Sequence, residues 1–226
     1  MSTHFVLVTH AALVALTPLV PLPVVDEWAR RKLERRLWLE LAARHGRALS
    51  EVDLTVLTAT STEGILDGAA VGRRLLVMPF TWVFKRVMLA LRGKAVVEAA
   101  SLAFHRAQLC EASLRRDLVA TYGPDRVRDA IDTTIADVPI AASPVTAAVR
   151  TGLRASRVAL ARTFARLHTD AARSDGQRED MYARAVAAMR DQNGLTALAA
   201  RLAEVPARHR DRLERRFVDR LTGAGA

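Results

Sequence analysis

The sequence predicts an all-α protein, a multi-helix bundle in which proline-broken apolar segments form hairpins. Apolar residues recur at helical i, i+3 and i+4 spacing, and no segment sustains the alternation of a half-buried strand. Half of the residues are apolar, enough for a sizeable core, and leucine, alanine and valine supply most of them. The 226 residues suffice for one large domain or two small ones. We expect an apolar-rich helical domain over residues 1–122 and a basic helical domain over residues 123–226, or one continuous bundle.

The first apolar segment covers residues 5–16 and precedes three closely spaced prolines, Pro18, Pro21 and Pro23. Proline lacks a backbone N–H and disfavours helix at the residue before it, so no helix is expected to continue through them. As a helix the segment reaches about 18 Å, whereas the hydrocarbon core of a bilayer is about 30 Å thick. We therefore favour an interfacial or re-entrant segment, or a buried core helix, over a complete membrane span.

The next helix is predicted over residues 23–44, with Pro23 in its first turn and Gly46 in the left-handed position beyond its end. Its middle is dense in cations that lie all around the helix axis, namely Arg30, Arg31, Lys32, Arg35 and Arg36. An unpaired buried charge is strongly destabilising, so this stretch must face water or an acidic partner. Two interpretations stay open: a solvated helix with internal Glu–Arg pairs, or a juxtamembrane basic cluster on anionic lipid.

Ser50 and Asp53 have the spacing of a capping box, so a helix of about ten residues is predicted to begin there and to end near residues 60–62. The residues that follow, up to 72, are rich in Thr, Ser and Gly and predict turns. A second apolar segment then covers residues 75–84, with Pro79 in its middle, and resumes over residues 87–91.

Cations and aromatic residues border this second apolar segment, namely Arg73, Arg74, Trp82, Phe84, Lys85 and Arg86. An apolar body edged by aromatic and cationic residues is typical of a segment at a membrane interface. The same composition is compatible with a buried helical hairpin whose ends are charged. Together with the cations at 30–36, these residues are our candidate contacts with a membrane or a protein partner.

A long helix is predicted over residues 95–118, with a stripe of small residues that permits close packing of neighbouring helices. His105 and Cys110 lie on this helix. We interpret His105 as structural and Cys110 as a small buried hydrophobe, because no catalytic partner is suitably placed near them in the sequence. Cys110 is also the only cysteine, which excludes an internal disulfide and a cysteine zinc cluster.

The second half is predicted to hold five helices, over residues 124–138, 144–169, 178–190, 195–205 and 207–221. The helix over 144–169 carries a basic stripe formed by Arg150, Arg154, Arg157, Arg162 and Arg166. The last helix alternates charge around a narrow apolar seam of Leu213, Phe217 and Leu221. Both arginine-rich faces are candidates for binding nucleic acid, although no helix-turn-helix signature is evident and aromatic residues for base stacking are few.

The net charge of +10 favours anionic partners, which include nucleic acid, anionic lipid and acidic protein. The cations are almost all arginine, and with abundant alanine and valine this indicates a high-GC coding bias that contributes to the arginine excess. The sequence contains no phosphate-binding glycine loop with lysine, no dinucleotide fingerprint, no HExxH and no GxSxG motif. We therefore predict no catalytic residue, no cofactor and no metal.

Two short motifs, PLPVVD at 21–26 and ARHGRALS at 43–50, flank the amphipathic helix. This arrangement resembles the uncharacterised helical domain that follows the GTPase domain of some bacterial membrane-associated GTPases, and its stand-alone membrane relatives. The resemblance covers roughly residues 10–110 and includes a later proline-containing apolar segment and a small-residue helix, here residues 75–84 and 95–106. The family's apolar segment is typically glycine-rich, which residues 75–84 are not. The resemblance implies a membrane-associated helical module and carries over no catalytic residue.

From these observations we expect a non-enzymatic helical protein that associates with a membrane surface or a protein partner through apolar hairpins flanked by basic residues. Nucleic-acid binding through arginine-rich helix faces is one alternative, and an enzyme whose site assembles from dispersed residues is another. The N-terminus lacks the positive region and the small-residue cleavage site of a secretory signal. The expected location is the cytoplasm, peripheral to or embedded in the inner face of the membrane.

Overall fold

A computed structural model describes residues 2–16, 23–59, 93–173 and 195–223. This part of the chain is helical and contains no strand, which confirms the predicted all-α class. Its helices are α1 (Thr3–Leu16), α2 (Pro23–Arg44), α3 (Glu51–Leu57), α4 (Lys94–Arg115), α5 (Leu118–Tyr122), α6 (Pro124–Ala136), a 3-10 turn (Ile140–Ala142), α7 (Pro144–Arg173), α8 (Thr196–Ala203) and α9 (Ala207–Thr222). The second apolar segment and the helix predicted over residues 178–190 lie outside the described residues.

Helix α1, the first apolar segment, lies in the core of the bundle. It packs mainly against α4 and also contacts α2 and α8. Every residue from 6 to 15 is buried, so the helix leaves no apolar face to the outside. Of the interpretations offered for this segment, the structure shows the buried core helix. Among the described helices, none combines the length and the hydropathy that crossing a membrane requires.

Helix α2 ends as its sequence predicts. Gly46 adopts a positive φ of 63°, a conformation that glycine reaches without steric cost. The backbone N–H of Arg47 donates to the carbonyl of Ala42 at 2.9 Å, which closes the end of the helix. Leu33, Leu37 and Leu41 are buried and form the apolar side of α2.

Helix α3 begins at the predicted capping box. The Asp53 N–H donates to Ser50 Oγ at 3.1 Å, and the Ser50 N–H donates to Asp53 Oδ2 at 2.9 Å. The helix is shorter than predicted and ends at Leu57. Its last turn tightens, because the Ala59 N–H donates to the carbonyl three residues earlier, at Val56, instead of four.

Helix α4 ends at Arg115, whereas the sequence predicted continuation to residue 118. The break lies at Asp117, which has a left-handed φ of 58°. Aspartate tolerates this conformation better than most residues, and Arg47 holds its carboxylate at 2.7 Å. A new short helix, α5, then leads to Gly123 and Pro124, where the predicted break occurs and α6 begins.

The core crosses the boundary at residue 122 that separates the two predicted halves. Helices α1 and α4 of the first half contact α8 and α7 of the second, respectively. Helix α9 packs against α6 and α4, and α3 packs against α6. The buried hydrophobic residues of both halves accordingly form one cluster. This packing places α9 along one side of the bundle with a defined inward face.

Candidate functional site

Only some of the candidate contact residues belong to the part of the chain that the structure describes. On α2, Arg30 and Arg31 are exposed, whereas Lys32, Arg35 and Arg36 are half-buried. The other candidates lie outside the described residues: Arg73, Arg74, Trp82, Phe84, Lys85 and Arg86. The structure therefore describes only the candidate contacts that lie on α2.

Some of the arginines of helix α2 form ion pairs with carboxylates of the same protein. Arg35 Nη2 donates to both carboxylate oxygens of Glu51 at 2.6 Å, and these bonds hold the pKa of Glu51 below its ordinary value. Arg44 and Glu40 pair one turn apart at 3.3 Å. The helix thus contains the internal Glu–Arg pairing of the solvated-helix interpretation, together with a bridge to α3.

Helix α9 presents arginines on the side opposite its buried seam. Leu213, Phe217 and Leu221 are buried, as the spacing predicts, and determine which side of α9 points inward. With 3.6 residues per turn, the outward side carries four exposed residues that we call the arginine face. These residues are Arg208, Arg212, Arg215 and Arg216. Asp211 and Asp219 are exposed on the same side, each one turn from at least one of these arginines.

No member of the arginine face forms an ion pair or hydrogen bond with another residue of the described part. Neighbouring arginines behave differently. Arg115 and Arg116 of α4 both bind the carboxylate of Glu214 at 2.8 Å, and Arg220 pairs with Asp137 of the α6 terminus. Glu214 and Asp137 are therefore engaged with arginines that bridge helices, whereas the arginine face, with Asp211 and Asp219 beside it, is exposed to solvent.

Helix α7 carries the other basic stripe. Arg150, Arg154 and Arg162 are exposed, and Arg157 is half-buried. These residues likewise make no ion pair with another described residue. Unlike the arginine face, whose members lie within three turns, the α7 stripe spreads over more than three turns of a longer helix.

The α8–α9 pair has the lengths of a helix-turn-helix, with three residues between the helices. Their packing differs from that motif, in which the two helices pack against each other. Helix α8 packs against α7 and α1, whereas α9 packs against α6 and α4.

A buried junction joins α4, the start of α7 and the first turn of α9. His105 is completely buried, and its Nδ1 lies 2.6 Å from the carbonyl oxygen of Ser101. Its Nε2 lies 3.1 Å from His209 Nε2 and 3.2 Å from Ser143 Oγ. We call these three side chains the histidine junction. Sequence reasoning assigned His105 a structural role but found neither partner, because His209 is 104 residues away.

A second buried polar cluster surrounds Arg106. This side chain lies 3.4 Å from Glu34 of α2 and also pairs with Asp132 of α6. Burial, with a smaller contribution from the positive charge of Arg106, lowers the pKa of His10 to about 3. Burial likewise raises the pKa of the Cys110 thiol to about 12, so this cysteine is the inert buried residue that the sequence predicts.

Neither cluster has the composition of an active site. The described residues contain no group of three His, Cys, Asp or Glu side chains that could hold a metal ion. Ser143 and His105 approach each other as a nucleophile and a base do, but both are buried. A substrate has no access to either side chain in this arrangement.

Comparisons with known proteins add no relative: no protein-family model, curated protein or solved structure matches the chain. The resemblance to the helical domain of membrane-associated GTPases therefore stays a prediction.

Proposed function

We propose that this chain is a non-enzymatic helical protein that associates peripherally with an anionic membrane surface through basic residues. One observation supports it above all. Four arginines project together from α9, none of them forms an ion pair with a described residue, and they outnumber the two carboxylates on the same side, Asp211 and Asp219. Because like charges repel, such a group raises the energy of the isolated fold and is relieved by an anionic partner.

The orientation of α9 gives the arginine face a common direction. Its inward seam is buried against the bundle, so the helix cannot rotate without exposing Phe217 and its two leucine neighbours. Each cation near an anionic bilayer contributes about 1 kcal/mol. Four arginines are thus sufficient for weak, salt-sensitive attachment without any apolar insertion.

The proposal differs from the sequence-based expectation in the residues that make contact. The first apolar segment is buried in the core and has no surface to offer a bilayer. Arg30 and Arg31 of α2 are exposed. The second apolar segment lies outside the described residues, and the proposal does not depend on it.

Vesicle sedimentation tests the proposal. Vesicles of phosphatidylcholine with about one third phosphatidylglycerol should bind the protein at low salt, and pure phosphatidylcholine should not, because attachment is electrostatic. Replacing the arginine face by glutamine (R208Q, R212Q, R215Q and R216Q) should lower the partition coefficient at least tenfold.

The α7 stripe offers a matched control with the same change in net charge. The variant R150Q, R154Q, R157Q and R162Q should retain most of the binding. Equal losses in both variants would show that net charge alone drives attachment, and absence of binding at low salt would refute the proposal.

Nucleic-acid binding is the second candidate, and the use of arginine favours it. A guanidinium presents a planar fork that binds phosphate in bidentate fashion, and the exposed cations of α7 and α9 are all arginine. A steep fall of DNA or RNA affinity with salt, lost in the α9 variant, would support this function over the first. Failure to bind either polymer at low salt would remove it.

A further inference from the structure

The histidine junction fixes the protonation of its own members. A carbonyl oxygen only accepts, so the 2.6 Å contact with Ser101 requires the proton of neutral His105 to lie on Nδ1. Its Nε2 is then an acceptor. His209 Nε2–H at 3.1 Å and the Ser143 hydroxyl at 3.2 Å are the two donors that face it.

The junction holds together elements that are distant in the sequence. His105 lies in the middle of α4, Ser143 immediately precedes α7, and His209 lies in the first turn of α9. Ser143 is itself fixed, because the backbone N–H of Val145 donates to its Oγ at 3.2 Å. His209 is half-buried in the first turn of α9 and is the member of the junction nearest the surface.

The geometry of the rings shows a direct bond between the imidazoles. The ring centroids are 5.3 Å apart and the two Nε2 atoms are 3.1 Å apart. The difference equals about two ring radii, as expected when the nitrogens lie on the line between the two rings. The Nε2 atoms therefore point at each other, and no metal ion fits between them. The described residues also supply no third ligand of the usual kind.

The surroundings of the pair disfavour additional positive charge. Burial and the neighbouring His209 lower the pKa of His105 to about 4, partly opposed by the Ser101 carbonyl. Burial and the charge of Arg212 lower the pKa of His209. The nearby histidine of α1, His4, bonds to the carbonyl oxygen of Ala199 and not to either member of the pair.

The remaining groups near the pair do not supply a compensating anion. Thr146 of α7 is neutral and bonds to Ser101, and Arg106 of α4 binds the carboxylates of Glu34 and Asp132. Among the described residues, no carboxylate contributes to the shift of either histidine.

We propose that the histidine junction is an acid-released latch that holds the first turn of α9 against α4. When both rings carry two protons, two N–H groups and two positive charges face each other at the position of the present hydrogen bond. The first turn of α9 then separates, and with it Arg208 and Arg212 at that end of the arginine face. The latch depends only on the contacts of the histidine junction and does not depend on what the arginine face binds.

Hydrogen exchange of the full chain tests the latch. Exchange of the α9 amides at residues 211–213, the first with an acceptor carbonyl within the helix, should accelerate more than tenfold between pH 7 and pH 4.5 after correction for the intrinsic effect of pH. It should also stay faster than exchange in the core of α4 at both pH values. In H209Q the side-chain amide of glutamine offers either a donor or an acceptor to His105 and does not titrate. The acid-induced acceleration of exchange in α9 should therefore be lost. H4Q, which removes a histidine outside the junction, should behave as the wild type.

Two results would overturn the proposal. One is exchange of these α9 amides at the same rate as the core of α4 in the wild type at both pH values, which would indicate global unfolding. The other is an H209Q variant with the same pH response as the wild type. Nitrogen NMR of the wild type at pH 7 gives an independent check: the proton of His105 should reside on Nδ1 and that of His209 on Nε2, and the reverse arrangement contradicts the latch.

Discussion

The crossing of α7 and α8 depends on Gly152, and we predict that Gly152→Ala destabilises the fold. A Cβ at this position would lie 2.7 Å from both Cα and Cδ1 of Leu198. The Cδ1 atom can rotate away, but the Cα atom belongs to the backbone of α8. The methyl group therefore forces the two helices apart, unlike an alanine on the exposed side of the same helix.

The magnitude follows from the distance. Ordinary contact begins at 3.4 Å, so α8 must retreat by about 0.7 Å. A gap of that size weakens the dispersion contacts of the neighbouring core residues, and overpacking of this kind costs about 1–3 kcal/mol. Alanine gains about 1 kcal/mol over glycine in a helix. The net loss of unfolding free energy should therefore be about 0–2 kcal/mol, whereas the same substitution at an unobstructed helix position should gain about 1 kcal/mol.

Urea unfolding followed by circular dichroism measures this loss. Gly152→Val should be worse, because it adds two further methyl groups against the same backbone. Ala155→Gly, at an exposed position one turn away, is the matched control and should lose only about 1 kcal/mol through helix propensity. A Gly152→Ala protein about 1 kcal/mol more stable than the wild type, the full propensity gain with no packing cost, would refute the close crossing.

Three further predictions concern the buried polar groups. Arg106→Met leaves two partly buried carboxylates without their cation and should lower the unfolding free energy by about 3 kcal/mol in urea. It should also raise the pKa of His10 in an NMR titration. Unfolding returns His10 and His105 to an ordinary pKa near 6.5, so the unfolded state binds more protons than the native state below that pH. Each histidine should therefore lower the unfolding free energy by about 2 kcal/mol between pH 7 and pH 5. An unfolding free energy that does not change over this range would contradict both assignments. Cys110 should resist thiol reagents at pH 8 in the native protein and react in urea, since its pKa is about 12.

Features fixed by local chemistry could be predicted from the sequence. The Ser50–Asp53 capping box, the left-handed Gly46 and the break at Gly123 each arise from residues within a few positions of one another. The seam of α9 was predictable for the same reason, since helical spacing alone places Phe217 and its leucine neighbours together. The arginine face follows from that seam as the opposite side of the helix.

Features that depend on distant partners could not be predicted. Asp117 ends α4 in a conformation supported by Arg47, which is 70 residues away in the sequence. The close approach at Gly152 exists only because Leu198 packs there. Hydropathy also gave no way to decide whether the first apolar segment is a core helix or an interfacial one, because both are apolar throughout.

Helix α4 connects the polar contacts that orient the surrounding helices. His105 bonds to the first turn of α9, Arg106 binds α2 and α6, and Arg115 binds Glu214 further along α9. The buried His105 contact is costly to break and therefore penalises alternative packing, whereas the exposed Arg115–Glu214 pair adds little. The His105 contact and the buried seam of α9 thus set the position and the rotation of that helix. We infer that the direction of the arginine face is determined from the interior of the bundle, so a change at α4 alters how the basic surface is presented.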